Sequence, residues 1–359
     1  MTNEQIIAAL SHVLDPDLGK DLVTLNMIED VKTEGNKVSF KVVLTTPACP
    51  LKNQIRQACI DEIHRHVSPD AEIDIEMTSR VTSRRKEADL VLKDVRNIIA
   101  VGSGKGGVGK STVAVNLAVA LAKTGAKVGL IDADIYGPSV PMMFGLLDQK
   151  PQGFERDGKM VVLPFEKYNI KLLSIGFFVD QSKALVWRGP MASMALRQLF
   201  TDAEWGALDY MVVDLPPGTG DIPLTLIQDF PLTGAIVVTT PQQVAIADVR
   251  KAADMFRNEK INIPMLGVVE NMAWFVPPDA PDKKYYIYGQ GGTEKFAAEM
   301  RVPLLAQIPF VMEVAASGDA GSPIALNDDS PVAEAYMKLA GNVAQQVAIS
   351  NVIRESFGM

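Results

Sequence analysis

The chain has 359 residues, 47% of them hydrophobic and 22% charged, so it can bury a sizeable core and, as a soft prior, divides into about two domains. Lys and Arg number 35 against 43 Asp and Glu, a net charge of -8, which argues against general nucleic-acid binding, where clustered positive charge is needed. Two cysteines exclude a disulfide framework and a four-cysteine zinc site within one chain, and they suit a reducing compartment.

The first 80 residues read as a small α+β unit. Residues 3–14 predict a helix with Ile6, Ile7, Leu10 and Leu14 on one face, ended by Asp15-Pro16-Asp17. No basic start followed by an apolar run precedes it. No uncharged apolar stretch reaches the roughly 18 residues of a membrane span, so a soluble, cytoplasmic protein with no membrane partner is expected. Residues 37–45 alternate like a half-buried strand. Residues 51–67 carry Leu51, Ile55, Cys59 and Ile63 at a helical step, and residues 71–77 alternate strictly through Ile73, Ile75 and Met77. His64 and His66, two apart on that helix, point in different directions, and His12 stands alone, so no metal site is expected there. From residue 81 to 95 charge rises and periodicity fades, which reads as a linker.

From residue 96 to 359 the pattern repeats strand, turn and helix. Near-continuous apolar runs at 97–102, 127–131, 170–175, 210–214, 235–239, 265–270 and 304–308 suit parallel strands buried on both faces. Helical segments lie between them at 111–124, 191–200, 244–257 and 331–350. The last carries an apolar stripe of Val332, Ala335, Leu339, Val343 and Val347. The expected fold class is α/β: a doubly wound, mostly parallel sheet with a small N-terminal α+β domain.

The sharpest motif is Gly104-Lys105-Gly106-Gly107-Val108-Gly109-Lys110-Ser111-Thr112. It fits G-x-x-x-x-G-K-[ST] with a strand before it and a helix after it. Glycines let backbone N–H groups curl around phosphate oxygens, and the helix N-terminus adds its dipole. Lys110 would neutralise the β- and γ-phosphates of ATP, and Ser111 would ligate Mg²⁺. Asp214 ends an apolar strand, as a Walker B carboxylate holding Mg²⁺ through water should, and leads into the turn-rich Leu215-Pro216-Pro217-Gly218-Thr219-Gly220-Asp221. Asp132 and Asp134 follow the strand 127–131; either could instead cap the next turn.

The second lysine of the loop, Lys105, resembles the mark of the deviant Walker A group, which includes MinD, ParA, the nitrogenase iron protein and the arsenite-pump ATPase. In that group this lysine reaches across a dimer to the partner's nucleotide, so the resemblance implies an ATP-dependent homodimer; the alternative is a solvated loop lysine. By the same similarity Asp134 would position or activate the attacking water, and Asp132 would lie near the Mg²⁺ shell. Asn271 matches a position that reads adenine, and Pro309-Phe310 matches a loop covering the base. Packing is the alternative for both.

Taken together, GKGGVGKST, DADIYGPSVP, WRGPM at 187–191, DLPPGTGD and VENMAWF closely resemble the Mrp/ApbC-type iron–sulfur cluster carrier ATPases over residues 96–350. The N-terminal DPDLGKDLVTLNMI and TTPACPL resemble the small metal–sulfur cluster biosynthesis domain often fused to them. The resemblance implies a homodimer that binds ATP, hydrolyses it slowly, and passes iron–sulfur clusters to apoprotein clients alongside assembly scaffold proteins. Many family members have a C-x-x-C shortly after the segment matching Asn271-Met272. This chain has no cysteine after residue 59, so that bridging site is absent. Cys49, just before a helix, is the candidate iron–sulfur ligand or reactive thiol, because a helix N-terminus lowers a thiol pKa, and the alternative is a small residue in a tight loop; Cys59, on an apolar stripe, reads as core. The main alternative is a nucleotide-switched adaptor in cluster assembly that holds no cluster itself. A MinD- or ParA-like positioning ATPase is disfavoured by the absent basic amphipathic tail and by the acidic charge. A biosynthetic ligase on the same fold is disfavoured by the appended N-terminal domain.

Overall fold

The structure is a computed structural model that describes residues 1–83, 91–179, 189–277, 279–280 and 282–357. Its residues pack as two units, Met1–Thr82 with Ala344–Met359, and Ser83–Val343. The expected division placed everything after residue 95 in one domain; by packing, the last turns of the C-terminal helix group with the smaller unit. The middle of the expected linker, 84–90, lies outside the described residues, as do Trp187 and Arg188 of the WRGPM motif.

The smaller unit runs α1 (Asn3–Leu10), β1 (Ile28–Glu34), β2 (Lys37–Leu44), α2 (Lys52–His66) and β3 (Glu72–Ser79), with the sheet ordered β1-β2-β3. Thr2 and Gln5 cap α1 reciprocally, each side chain accepting the other's backbone N–H. The helix is shorter than its apolar spacing predicts. Ile6 and Leu10 are buried but Ile7 and Leu14 are exposed. The reason is local: the Asp15 carboxylate accepts the N–H groups of Asp17 and Leu18, and that turn turns the chain back so that Leu14 bridges to Asp21. The core joins Ile6 and Leu10 to Val38, Phe40 and Val42 of β2 and to Ile55, Cys59 and Ile63 of α2. His12 does not stand alone: its ring stacks on that of His66 at 4.5 Å.

The larger unit continues β4 (Val95–Ser103), α3 (Lys110–Lys123), β5 (Val128–Asp132), α4 (Val140–Met143), β6 (Gly153–Arg156), β7 (Lys159–Val162), β8 (Phe165–Lys167), β9 (Ile170–Ser174), α5 (Gly189–Thr201), β10 (Leu208–Asp214), α6 (Asp221–Asp229), β11 (Gly234–Thr239), α7 (Gln243–Arg257), β12 (Met265–Glu270), α8 (Gly292–Met300), β13 (Leu304–Gln307), α9 (Met312–Asp319) and α10 (Pro331–Phe357). The eight-stranded sheet is ordered β13-β12-β11-β4-β10-β5-β9-β8. All neighbours are parallel except β8 on β9. The seven apolar runs are its seven parallel strands. β6, β7 and β8, three or four residues each with none fully buried, lie outside those runs. The strand order reverses at β4, which places the loop after it at the crevice where open α/β sheets bind ligands. Among the described residues no helix is long and apolar enough to cross a membrane.

Candidate functional site

The loop Gly104–Gly109 leaves β4 and enters α3. Gly107 and Gly109 have φ of +81° and +80°, so the chain alternates in handedness and turns its amides to one side, the geometry of an anion nest. Among the described residues, the N–H groups from Gly104 to Gly109 donate to no acceptor in the chain. Gly104 must be glycine for another reason: a Cβ there would lie 2.1 Å from the Asp248 carbonyl carbon of α7. The loop is pinned from two sides. Ser103 Oγ donates to the Lys105 carbonyl at 3.0 Å, and Asn271 Nδ2 donates to the Val108 carbonyl at 2.9 Å. The Lys105 side chain makes no hydrogen bond or ion pair among the described residues and is half-buried.

Lys110 opens α3 and is buried. Its Nζ stands 2.5 Å from Asp214 Oδ1, 3.6 Å from Asp134 Oδ2 and 3.2 Å from Ser111 Oγ. Burial alone would lower the ammonium pKa, but the charges of Asp214, Asp134 and Asp132 outweigh it and hold it above the usual lysine range. Burial pushes the Asp214 carboxyl up against the pull of Lys110, and pushes Asp132 up to about 7, helped by the neighbouring Asp214 charge. Asp214 Oδ2 and Asp134 Oδ1 are buried without a hydrogen-bond partner. Sequence reasoning gathered these residues from separate segments, and the parallel register of β10 and β5 pairs Asp214 with Asp132 directly.

A hydroxyl at Ser111 and two carboxylates with free oxygens form a hard-oxygen donor set that suits Mg²⁺. That ion takes one or two carboxylates and fills its remaining positions with phosphate and water. Among the described residues no three His, Cys, Asp or Glu side chains are placed to cage a metal on their own, as Mg²⁺ with nucleotide does not require. Asp132 differs from its neighbours. Its Oδ1 accepts the Asp134 N–H at 3.1 Å, and its Oδ2 accepts the Val140 N–H at 3.2 Å and the Ser174 hydroxyl at 2.9 Å. The capping alternative thus describes what its carboxylate does. Ser174 was missed by the sequence reading. Its one signal is a polar residue closing an apolar strand, as Asp132 and Asp214 do.

Beside the loop a cavity of about 270 Å³ is lined by Gly109, Asn116, Met143, Asn271, Phe310 and Val314, among others. Asn271 is held by its own N–H to the Thr239 carbonyl. Thus Asn271 and Phe310, expected at a base, face one cavity adjoining the phosphate loop. In the segment after Asn271, where the family resemblance leads one to expect C-x-x-C, the contacts are backbone ones: Phe275 exchanges both hydrogen bonds with Tyr285, and Phe310 N–H donates to the Trp274 carbonyl at 2.7 Å.

Cys49 departs from its expectation. Burial pushes its thiol up, and the nearby Asp17 and Asp15 carboxylates add to that, so Lys52 and the start of α2 do not make it a ready thiolate. Cys59 is fully buried and its thiol is pushed up to about 12, as a core residue should be.

Residues 3–77 match the family model of an iron–sulfur cluster assembly protein, and residues 94–344 match that of the NUBPL iron-transfer P-loop NTPase. The chain is 44% identical over 98% of its length to all of the "Iron-sulfur cluster carrier protein" of Synechocystis sp.. It is 40% identical over 95% of its length to 91% of the protein of that name from Escherichia coli. It is 41% identical over 97% of its length to 64% of the "Fe-S cluster assembly factor HCF101, chloroplastic" of Arabidopsis thaliana. The solved structure of a nucleotide-binding protein from Archaeoglobus fulgidus, in complex with ADP, matches 66% of this chain and 92% of its own, at 38% identity and a TM-score of 0.56. On these matches the chain belongs to the NUBPL iron-transfer P-loop NTPase family, with an iron–sulfur cluster assembly domain ahead of the NTPase.

Proposed function

We propose that this protein is an ATP-binding, slowly ATP-hydrolysing homodimer of the cytoplasm that passes iron–sulfur clusters to apoprotein clients, working with assembly scaffold proteins. The observation that carries the nucleotide reading is the nest: amides from Gly104 to Gly109 without protein acceptors, beside Lys110 held between Asp214 and Asp134. In this reading the nest amides and Lys110 take the phosphates, Asn271 faces the base, and Asp134 holds the attacking water. Ser111 and Asp214 would hold Mg²⁺, which supplies charge neutralisation across the transferring phosphate. Asp132 acts one step removed, by fixing the backbone that carries Asp134. Lys105, without a partner in its own chain, suits a contact to a second copy. Cluster transfer is supported by the family and by the names of the relatives. The only thiol of this chain outside the packed core is Cys49, so a cluster held here takes at most one cysteine per protomer.

That scarcity of ligands favours a second reading, an adaptor in cluster assembly switched by nucleotide that holds no cluster. Anaerobic reconstitution, with iron and sulfide quantified per dimer on the native chain and on Cys49→Ala, separates the two. A cluster that forms on the native chain and is lost in the variant supports the carrier. No cluster on either protein, with ATP hydrolysis intact, overturns the carrier and leaves the adaptor.

A further inference from the structure

We propose that Ser174 is a positioning residue for hydrolysis: its hydroxyl orients the Asp132 carboxylate that fastens both ends of the loop bearing Asp134. This rests on the ATP-hydrolysing reading above and extends it to a residue outside the phosphate loop and both acidic motifs. The placement follows from strand register. Across β10, β5 and β9 the last residues form one row, Asp214 opposite Asp132 and Asp132 opposite Ser174. The row lies at the C-terminal edge of the sheet, where the phosphate loop also emerges.

The chemistry of a hydroxyl gives the row its direction. Ser174 Oγ accepts the Gly176 N–H at 2.9 Å, so that amide occupies a lone pair and leaves the hydroxyl's single proton for an acceptor. The acceptor is Asp132 Oδ2, 2.9 Å away, in a site where Ser174 and Asp132 are both wholly buried. Asp132 then has three donors in fixed directions: the Ser174 hydroxyl from β9, the Asp134 N–H from the start of the loop, and the Val140 N–H from its end at α4. The loop between those amides is exposed at its tip, where Tyr136 is 71% accessible; Ala133 and Ile135 on its inner side pack into the core, and the Asp132 carboxylate ties its start to its end. Asp134 itself has one oxygen without a partner and the other 3.6 Å from Lys110, so its position depends on the backbone anchor. Without the Ser174 hydroxyl the carboxylate keeps the two loop amides, Asp134 N–H on Oδ1 and Val140 N–H on Oδ2, but loses its hydrogen bond to β9, so carboxylate and loop can shift together about the Asp132 Cβ–Cγ bond. A misplacement of about 1 Å at a group acting on the attacking water costs on the order of a hundredfold in rate without weakening substrate binding.

The test compares the full-length native protein with Ser174→Ala and Ser174→Thr, the latter keeping a hydroxyl at a strand end that favours β-branched residues. Steady-state ATP hydrolysis with Mg²⁺ and amide hydrogen exchange of the nucleotide-free proteins are measured. In Ser174→Ala we expect kcat to fall about tenfold or more with KM for ATP within about threefold, the pattern of a lost transition-state interaction. Ser174→Thr should restore most of kcat. Amides between residues 133 and 140 should exchange at least about tenfold faster in Ser174→Ala, with the parallel strands unchanged. Unchanged exchange in that loop overturns the proposal, as does a drop in both variants that tracks a lower melting temperature. If the native protein hydrolyses no ATP, the hydrolytic reading fails on its own, and loop exchange still decides whether Ser174 fastens the loop.

Discussion

The ammonium of Lys110 and the carboxylate of Asp214 stand 2.5 Å apart with side chains only 6% and 0% exposed, so neither has water to fall back on. Asp134 and Asp132 bring two more carboxylates to the same ammonium. Removing one partner of a buried pair leaves an uncompensated charge and costs about 3–5 kcal/mol, whereas removing both is far milder. Lys110→Met should therefore lower stability by about that amount in denaturant melts and abolish ATP hydrolysis. Adding Asp214→Asn should recover much of the stability and none of the turnover. Near-normal phosphate release from Lys110→Met would sink the phosphate-loop assignment.

Gly109 and Gly104 are needed for different reasons, and the difference is measurable. At Gly109 φ is +80°, and a Cβ would meet Asn271 Nδ2 at 2.1 Å. Alanine there adds about 1–2 kcal/mol of backbone strain and pushes the Asn271 amide off the Val108 carbonyl. Asn271 is the movable end of a side chain, so the fold should survive while nucleotide affinity falls tenfold or more, as titration would show. At Gly104 the clash is with the α7 backbone, which cannot move aside, so Gly104→Ala should lose more stability than Gly109→Ala in the same melts. Equal stability of the two variants would count against this account.

What the sequence made legible follows from where its signals are strong. Val95–Ser103, Val128–Asp132 and Leu208–Asp214 each carry an apolar run that ends in a polar or acidic residue, so both the parallel sheet and its ligand edge could be read. Lys110, Asp132, Asp134 and Asp214 were identified by motif, and the structure brings them together. The length of α1 was misread because apolar spacing continues through Leu14 while the Asp15 turn ends the helix. The thiol of Cys49 was misjudged because Asp15 and Asp17 lie far from it in sequence order and next to it in space. Ser174 carries one weak signal, a polar residue closing an apolar strand, and only register with β5 gives that residue a role.

The two thiols predict a pH signature. Both are pushed above the usual thiol range by burial, Cys59 to about 12. At pH 7 Cys49 should alkylate with iodoacetamide more slowly than a free thiol. Its rate should climb about tenfold per pH unit through pH 7–9, because only the thiolate reacts. Cys59 should stay unlabelled until the protein unfolds. Above about pH 9 the unfolded chain loses thiol protons that the folded chain keeps, so these groups stabilise the fold below that pH and their contribution declines as pH rises. Peptide mass spectrometry of the alkylated protein reads the rates. Fast labelling of Cys49 at pH 7 would restore it as an activated thiolate.

Lys105 allows the dimer to be tested without a structure of it. Its side chain is tied to nothing among the described residues, so Lys105→Ala should change stability by no more than about 0.5 kcal/mol. Nucleotide affinity should stay within a few-fold, since Lys110 and the nest amides remain. Hydrolysis should fall tenfold or more if the lysine acts on the partner's nucleotide. Asp134→Asn should be inactive for a different reason: it lacks the carboxylate in its own site but still offers Lys105. In an equal mixture, half of the dimers pair one variant with the other. The Lys105→Ala protomer of such a pair has an intact Asp134 and receives Lys105 from its partner, so about a quarter of the native activity should return. Two inactive proteins regaining turnover on mixing is the mark of a residue acting across a dimer; a mixture as inactive as its components would make Lys105 a residue of its own site.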